Sequence, residues 1–274
     1  MIPGDPILRT LAPAEVLLAL LIVGHVLADF LVQTEAVATR KGRAAPVLAL
    51  HGLLTLATHA LLLLPFWSPA LIAPLLVLGA YHLALDAIKG RLERGDRRGG
   101  LGALLLDQGL HLLGLVAVWL WMRGAGVLAA PPVVPVAWLS PIAVWGVIVA
   151  GLVLNGKGGT AVVRSLLRRY PTLVPAPQGD PTLPRVEGLP SRDDYEMGRT
   201  IGVLERLIVY LLVLAGQWAA LGLVLAAKSI ARFPELKNQR FADYYLMGTL
   251  ASMLTAIAVG MLVVLAVFRA PLAG

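Results

Sequence analysis

Residues 14–33 read AEVLLALLIVGHVLADFLVQ, an apolar stretch interrupted by a histidine and an aspartate near its end. A bilayer core about 30 Å thick takes roughly 20 apolar residues to cross as a helix, so this stretch has the length of one span. The whole chain has the same character, with 58% hydrophobic and 14% charged residues and a mean hydropathy of +0.80. This composition excludes a water-soluble globular domain.

Apolar runs of about this length recur along the 274 residues of the chain. Within hydrocarbon each backbone amide needs a partner in its own segment, and alternating strand patterns are absent, so every run is predicted to be a helix. The expected fold is therefore all-α, a polytopic membrane protein with about seven transmembrane helices. The predicted spans are 14–33, 46–65, 69–88, 101–122, 134–154, 201–227 and 241–268.

One long polar stretch divides these spans and predicts three parts. Residues 1–155 form a five-span membrane unit, residues 156–199 a basic helix and a proline-rich linker, and residues 200–274 a two-span hairpin. The basic helix carries apolar side chains on one face and arginines on the other, which suits a membrane surface or packing on its own protein. Prolines throughout 171–190 disfavour both helix and sheet in the linker.

Basic residues predict the orientation of the spans. The links at 40–43 and 89–98 and the polar stretch at 155–199 are rich in Lys and Arg, which is typical of cytoplasmic segments. We therefore expect a cytoplasmic membrane, with the N-terminus outside and the main polar loop in the cytoplasm; the family resemblance described below implies that this membrane is bacterial. No basic start and small-residue cleavage site precede the first span, so it is expected to be retained.

The link between the last two spans disagrees with this orientation. It would place four basic residues on the outer side, where they are normally scarce. The conflict disappears if the hairpin is re-entrant or misread, or if these charges have local partners such as Glu235, Asp243 or a lipid phosphate. The four residues are Lys228, Arg232, Lys237 and Arg240.

Charge and composition also limit the partners. The formal net charge of +7 is typical of cytoplasmic loops and of contact with anionic headgroups, so membrane lipids are favoured over nucleic acid. The absence of cysteine excludes disulfides and thiolate metal sites. Glycines in and before the sixth span permit close helix contacts, either with the five-span unit or with another copy in a homo-oligomer. They are Gly198, Gly202, Gly216 and Gly222.

All five histidines lie within the first four predicted spans. Three times a histidine and an aspartate stand four residues apart, which puts both side chains on one helix face, one turn apart. Counted from the cytoplasmic ends at about 1.5 Å per residue, these pairs and His51 occupy one layer roughly 3 to 15 Å deep. Four helices can therefore meet around one polar centre, with His59 deeper, as an interhelical hydrogen-bond partner. The pairs are His25 with Asp29, His82 with Asp86, and Asp107 with His111.

Buried ionisable groups need a proton, a partner or a metal. Carboxylate and imidazole without thiolate suit a divalent metal in an open catalytic site, with Zn first and Mn or Fe as alternatives. Asp29, Asp86 and Asp107 are the candidate catalytic acids or bases. The set exceeds what one tetrahedral ion needs, which suggests two ions, or one ion with the remaining groups as orienters and base. The candidate metal ligands are His25, Asp29, His51, His82, Asp86, Asp107 and His111.

Further polar residues lie near this cluster or in the C-terminal hairpin. Gln33 and Gln108 can orient a ligand or bind a substrate carbonyl, although surface and packing roles are equally open. Two basic pairs are candidate contacts for an anionic lipid, with topology signalling and interface snorkelling as alternatives. A straight sixth span would hold Glu205 more than about 30 Å from the second pair and exclude an ion pair with it. The two pairs are Lys89 with Arg91, and Lys228 with Arg232.

Four motifs follow one another through the first four spans. They are His25-x3-Asp29-Phe30-x2-Gln33, Leu50-His51-Gly52, His82-x3-Asp86-x2-Lys89 and Leu106-Asp107-Gln108-x2-His111. Over about residues 14–122 the chain resembles an uncharacterised bacterial integral-membrane family, catalogued only as a domain of unknown function. The second half resembles an extension that many longer members carry. The His and Asp pattern is more loosely similar to membrane-bound metal-dependent hydrolases, which implies hydrolysis without naming a substrate.

Three functions are compatible with these features. The first is a membrane-embedded metal-dependent hydrolase acting on a lipid or other amphiphilic substrate at the cytoplasmic side. The second is a transporter or channel in which the same cluster relays protons or a divalent cation. The third is a non-catalytic membrane subunit whose linker and basic helix recruit a partner. Axial ligation of haem leaves the aspartates unexplained.

Overall fold

The structure, a computed structural model of the chain, describes residues 8–92, 100–128, 132–167, 170 and 192–268, with only the backbone at 192–196. In these residues α-helices and shorter helical turns dominate and no β-strand occurs. The predicted all-α class is therefore confirmed. The chain divides into an N-terminal unit, Ile7–Val153, and a C-terminal unit, Leu154–Gly274 with Met1–Pro6.

The N-terminal unit is a bundle around its first helix. α1 packs against α3, α5 and α6, and α4 packs between α3 and α5. The sequence of α1 is apolar on all sides, as expected for a helix enclosed by others, and 56% of its span is buried against 22% for α3. The helices are α1 (Pro13–Val26), α2 (Glu35–Arg40), α3 (Ala45–Leu62), α4 (Ile72–Leu92), α5 (Leu101–Gly124) and α6 (Val136–Val153).

The links of this bundle place its polar residues at one end. α1 continues into a π-helical turn, Leu27–Val32, and α2 lies in the short link to α3. Because α1 and α4 end where α3 and α5 begin, the histidines and aspartates near these four ends share one level. At the start of α1, Pro13 occupies the first turn and the Glu15 carboxylate accepts the Ala12 N–H at 2.8 Å.

Six helical segments in the described part of the chain are long and apolar enough to cross a membrane, which makes the protein multi-pass. They match six of the seven predicted spans. The predicted span at 201–227 has no counterpart among them. The six are Pro13–Val32, Ala45–Leu62, Pro69–Leu92, Leu101–Gly124, Val136–Leu167 and Gln239–Val267.

The C-terminal unit contains the helical hairpin that replaces this span. α8 ends at a Schellman motif, in which Gly216 has a φ of 69° and its N–H bonds the Val213 carbonyl at 3.1 Å. The Gln217 N–H bonds the Leu212 carbonyl at 2.9 Å and completes the motif. The elements are a π-helical turn (Leu154–Gly158), α7 (Gly159–Leu167), α8 (Arg192–Leu214), α9 (Trp218–Ala231) and α10 (Gln239–Val267).

α9 runs back along α8 and brings Lys228 to the level of Glu205, near the middle of α8. α9 has 14 residues, about 21 Å of helix, which is too short for a hydrocarbon core of about 30 Å. Lys228 on α9 forms an ion pair with Glu205 on α8 at 2.5 Å. The expectation that these two residues stand too far apart is therefore wrong, because the chain reverses at 215–217 instead of continuing straight.

Parts of the predicted organisation lie outside the described residues. These are the proline-rich linker at 171–190 and most of the basic link after α4, including Arg94, Arg97 and Arg98. α7 covers most of the predicted basic helix at 161–170, and Arg164 and Leu167 belong to its described part.

Candidate metal centre

Side chains from four helices meet at the end of the N-terminal unit where α1 and α4 stop. They come from α1 and its π-helical turn, from α3, from α4 and from α5. All but Asp107 are nearly excluded from solvent, at 9% exposure for Asp29 and 3% or less for the other five. The structure thus brings together all seven predicted ligands: His25, Asp29, His51, His82, Asp86, Asp107 and His111.

Four of these ligands form the compact core of the cluster. The Nε2 atoms of His51 and His82 lie 3.0 Å apart. Oδ1 of Asp29 lies 3.5 Å from His51 Nε2 and 3.4 Å from His82 Nε2. Oδ2 of Asp86 lies 3.1 Å from His51 Nε2 and 3.5 Å from His82 Nε2. Two imidazole nitrogens and two carboxylate oxygens therefore lie close together, with each carboxylate oxygen near both nitrogens.

These spacings match the ligand shell of a small divalent cation. In a tetrahedral zinc site with bonds of about 2.0 to 2.1 Å, neighbouring ligand atoms lie about 3.3 to 3.4 Å apart. The nitrogen–nitrogen and nitrogen–oxygen pairs of the four-residue core lie at 3.0–3.5 Å. The two imidazole nitrogens, together with the carboxylate oxygen of either Asp29 or Asp86, therefore suit zinc in both donor type and spacing.

Several buried acceptor atoms of the cluster have no hydrogen-bond partner. They include Nε2 of His25, Oδ1 of Asp29 and Nε2 of His111. Nδ1 of His111 lies 2.8 Å from the Asp107 backbone carbonyl, so this nitrogen carries the proton and Nε2 keeps its lone pair. Buried polar atoms are normally paired, so an excess of unpaired acceptors indicates a ligand that accepts lone pairs.

A second set of donors adjoins the core. The imidazole rings of His25 and His111 stack with their centroids 5.2 Å apart, and the His111 ring lies 4.5 Å from that of His82. Ligand atoms of His25, Asp29 and His82 lie within 4.8 Å of one another, and the same holds for Asp86, Asp107 and His111. The cluster thus offers donors for one ion with nearby bases, or for two ions.

The π-helical turn positions Asp29. In this turn the Gln33 N–H bonds the Ala28 carbonyl at 3.0 Å, five residues back instead of four. Such turns insert one residue into a helix and are frequent at functional sites. Here the turn alters the angle between His25 on α1 and the Asp29 carboxylate, so a uniform rotation of about 100° per residue does not describe the first His and Asp pair.

Two lysines bind the cluster's carboxylates from its open end. Lys41 Nζ lies 2.8 Å from Asp86 Oδ2, and Lys89 Nζ lies 2.8 Å from Asp107 Oδ2. Lys89 is one of the predicted lipid contacts, whereas the charge pattern identifies Lys41 only as a signal of orientation. The structure adds Lys41 to the site as a residue that the pattern of histidines and aspartates does not indicate.

A glycine contact explains how Lys41 reaches α4. Gly42 and Gly90 pack backbone to backbone, and a Cβ on Gly90 would lie 2.6 Å from the Cα of Gly42. Each glycine directly follows one of the two lysines, at 41–42 and at 89–90, but a third Lys-Gly dipeptide occurs at 157–158, outside the cluster. The dipeptide alone would therefore not have identified Lys41.

The remaining predicted residues have varied surroundings. Gln108 Nε2 lies 3.3 Å from Asp107 Oδ2, a position from which it orients that carboxylate, and Oε1 of Gln33 is buried without a partner. Arg91 is exposed. His59 donates to the Thr55 carbonyl of its own helix at 2.9 Å, and its ring lies against Gly24 of α1.

Comparison with known proteins places this cluster inside a family domain. Residues 17–134, somewhat less than half of the chain, match the family model described as protein of unknown function (DUF3307). The match includes every candidate ligand from His25 to His111. No curated protein and no solved structure matches the chain.

Proposed function

We propose that this protein is a membrane-embedded, metal-dependent hydrolase that acts on a lipid or another amphiphilic substrate. The observation that carries the proposal is the four-atom core of His51, His82, Asp29 and Asp86, whose spacings of 3.0–3.5 Å suit tetrahedral zinc. Mn and Fe are alternative ions for the same imidazole and carboxylate donors. A bound divalent cation would supply Lewis-acid chemistry and would lower the pKa of a water molecule toward neutrality.

The residues outside the core supply a general base. The Nε2 lone pair of His111 is free, because its Nδ1 proton bonds the Asp107 carbonyl. His111 can therefore take a proton from an attacking water while a bond forms between the water oxygen and the scissile centre. The same proton can then pass to the leaving oxygen as its bond breaks. His25, stacked on His111 with an unpaired Nε2, is the second candidate for this role.

The two lysines favour an anionic substrate. Lys41 and Lys89 bind carboxylates of the cluster and are partly buried at its open end, with 13% and 32% of their side chains exposed. A phosphoester oxygen could replace either carboxylate as a charge-assisted hydrogen-bond acceptor. A phosphoester of an amphiphilic molecule is therefore favoured over a neutral ester or amide.

The basic links at the end of the bundle that carries the cluster also indicate which side of the membrane the cluster faces. The links that carry basic residues, at 40–43 and at 89–92, adjoin the cluster, and basic links are typical of the cytoplasmic side. The hairpin of α8 and α9 removes the conflict over the basic residues from 228 to 240. We therefore propose the bacterial cytoplasmic membrane, with the cluster near its cytoplasmic face.

The transporter hypothesis has less support. Deeper along α3, the buried polar side chains are Thr55 and His59, and His59 bonds the backbone of its own helix. A continuous relay needs polar partners beyond the cluster, and this pair offers only a short extension.

Metal analysis of the purified full-length protein tests the proposal. Elemental analysis should find one or two divalent ions per chain, and His82→Ala should remove most of this metal. His59→Ala is the matched control, because His59 is equally buried in the bundle but is not one of the seven candidate ligands. A wild-type protein without stoichiometric metal, or a His82→Ala variant with the wild-type content, contradicts the proposal.

A paired assay separates hydrolysis from transport. The metal-loaded protein in liposomes should release product from a lipid phosphoester, and Asp86→Asn should abolish the release. Flux of protons or divalent cations that depends on Asp86, without any hydrolysis, would instead favour the transporter. If variants of the candidate metal ligands keep full function and deletion of residues 158–190 abolishes it, a subunit that recruits a partner would be favoured.

A further inference from the structure

A second polar cavity lies in the C-terminal unit. α7, α8, the end of α9 and the start of α10 enclose a cavity of about 220 Å³. Among the described residues that line it, Glu205 is the one carboxylate, against five cationic side chains. The five are Arg164, Arg199, Arg206, Lys228 and Arg232.

Among the described side chains, most of this positive charge is not neutralised within the cavity. Glu205 is already paired with Lys228 at 2.5 Å. Arg232 lies 3.3 Å from Glu235, which does not line the cavity. Arg164 and Arg199 form no ion pair or hydrogen bond with any residue in the described part of the chain. The cavity therefore offers cationic donors to a ligand.

Arg206 gives the cavity a fixed cationic wall. It is 4% exposed and donates to the Asn155 carbonyl at 2.6 Å, to Thr160 Oγ1 at 2.8 Å and to Ser252 Oγ at 2.9 Å. These acceptors are uncharged, so the bonds fix the guanidinium without neutralising it. Gly159 makes room for it, because a Cβ there would lie 2.6 Å from Arg206 Nε.

The other walls are apolar. Val163, Leu167, Ile201 and Phe241 line the cavity beside the basic groups. Because α9 is too short to cross the membrane, the ends of the hairpin that carry Glu205 and Lys228 lie near one membrane face. A cationic mouth beside apolar walls at this level suits a molecule with an anionic head and a hydrocarbon body.

We propose that this cavity binds the phosphate group of an anionic amphiphile. The arginines are the natural partners of phosphate, because the guanidinium can donate two parallel hydrogen bonds to it. The apolar walls receive the hydrocarbon nearest the head. The phosphate can come from a membrane lipid or from free phosphate, and the affinity for each probe separates these sources. This site is independent of the proposed metal centre.

Calorimetric titration of the detergent-purified full-length protein tests the site with three probes. They are dioctanoyl phosphatidic acid, dioctanoylglycerol and inorganic phosphate. Phosphatidic acid should bind saturably, and the double variant Arg164→Gln/Arg199→Gln should weaken this binding by about tenfold or more. The control Lys237→Gln/Arg240→Gln removes the same charge from exposed residues outside the cavity and should leave the affinity unchanged.

Each outcome decides the proposal. Strong binding of phosphatidic acid with weak binding of inorganic phosphate supports a lipid ligand. Equal affinity for both supports phosphate recognition and assigns the source to free phosphate. Absence of binding, equal affinity for dioctanoylglycerol and phosphatidic acid, or an equal loss in the cavity variant and its control overturns the proposal. None of these measurements depends on metal or on hydrolysis.

Discussion

The two units of the molecule bury polar groups in opposite ways. In the N-terminal unit, imidazole and carboxylate acceptors crowd together, and Nε2 of His25, Oδ1 of Asp29 and Nε2 of His111 have no hydrogen-bond partner. In the C-terminal unit, the guanidinium of Arg206 donates to neutral oxygens, and cationic side chains line the adjacent cavity. An excess of acceptors favours a cation and an excess of cationic donors favours an anion. The rule that buried polar groups need partners therefore indicates a cation for the N-terminal unit and an anion for the C-terminal unit.

The largest effect is expected for a substitution of Asp86, which tests whether the acceptors of the N-terminal unit bind a cation. Asp86→Asn keeps the side-chain volume but removes the negative charge that faces His51 and Lys41. Bound metal should fall at least about tenfold, since even residues outside a metal's direct ligands often contribute that much affinity. Elemental analysis measures it, with the exposed Asp243→Asn as control. Unchanged metal content in Asp86→Asn would contradict the assignment.

Arg206→Leu tests how much the buried guanidinium donors stabilise the C-terminal unit. The substitution removes the buried hydrogen bonds that the Arg206 guanidinium donates to the Asn155 carbonyl and to the Thr160 and Ser252 hydroxyls. The free energy of unfolding should fall by about 3 kcal/mol, as measured by thermal unfolding in detergent.

Arg199→Leu is the control for that experiment. It removes the same charge from an exposed residue without described hydrogen bonds, and a change within about 0.5 kcal/mol is expected. Equal destabilisation by both substitutions would mean that loss of charge, rather than loss of buried hydrogen bonds, explains the effect.

Gly114→Ala examines the packing that holds the proposed metal ligands at one level. A Cβ on Gly114 would overlap the Tyr81 ring, which lies between α4 and α5. Stability should fall by about 2 kcal/mol. Gly109→Ala, on the same helix with open space around it, should be neutral or stabilising by about 0.5 kcal/mol. Thermal unfolding of the two variants side by side decides this, and a neutral Gly114→Ala would show that the helices can separate freely.

The smallest effect is expected at the hairpin turn. Gly216 has a φ of 69°, a left-handed conformation that costs an alanine about 1 kcal/mol. Gly216→Ala should lower the unfolding midpoint slightly, whereas Gly222→Ala meets open space and should not lower it. A Gly216→Ala variant as stable as Gly222→Ala would indicate a turn different from the Schellman motif.

The bundle was more predictable from sequence than the hairpin, for a physical reason. Length and apolar content predict that a segment lies in the membrane, and they correctly indicated α1, α3, α4, α5, α6 and α10. They do not reveal a reversal inside an apolar run, and residues 211–225 read LLVLAGQWAALGLVL. Only Gly216 and Gln217 mark the turn, and glycine is also common inside straight membrane helices, where it lets neighbouring helices pack closely.

Helix periodicity made the part of the candidate site that lies on regular helices predictable from the sequence. A spacing of four residues predicted which histidines and aspartates share a face, and equal depth predicted their meeting. The contact of Lys41 with Asp86 depends on the link between α1 and α3, whose conformation periodicity does not describe. It also depends on the close approach of Gly42 and Gly90, which only three-dimensional packing reveals.

Because the π-helical turn Leu27–Val32 contains an extra residue, the geometry of the site depends on the number of residues in this turn. Deleting Leu27 or Ala28 would shorten the spacing between His25 and Asp29 from four residues to three and turn the Asp29 carboxylate by about 100° relative to His25 in a regular helix. Every proposed ligand would still be present in the sequence. Relatives of this protein that retain each histidine and aspartate but differ by one residue here should therefore be unable to assemble the same centre.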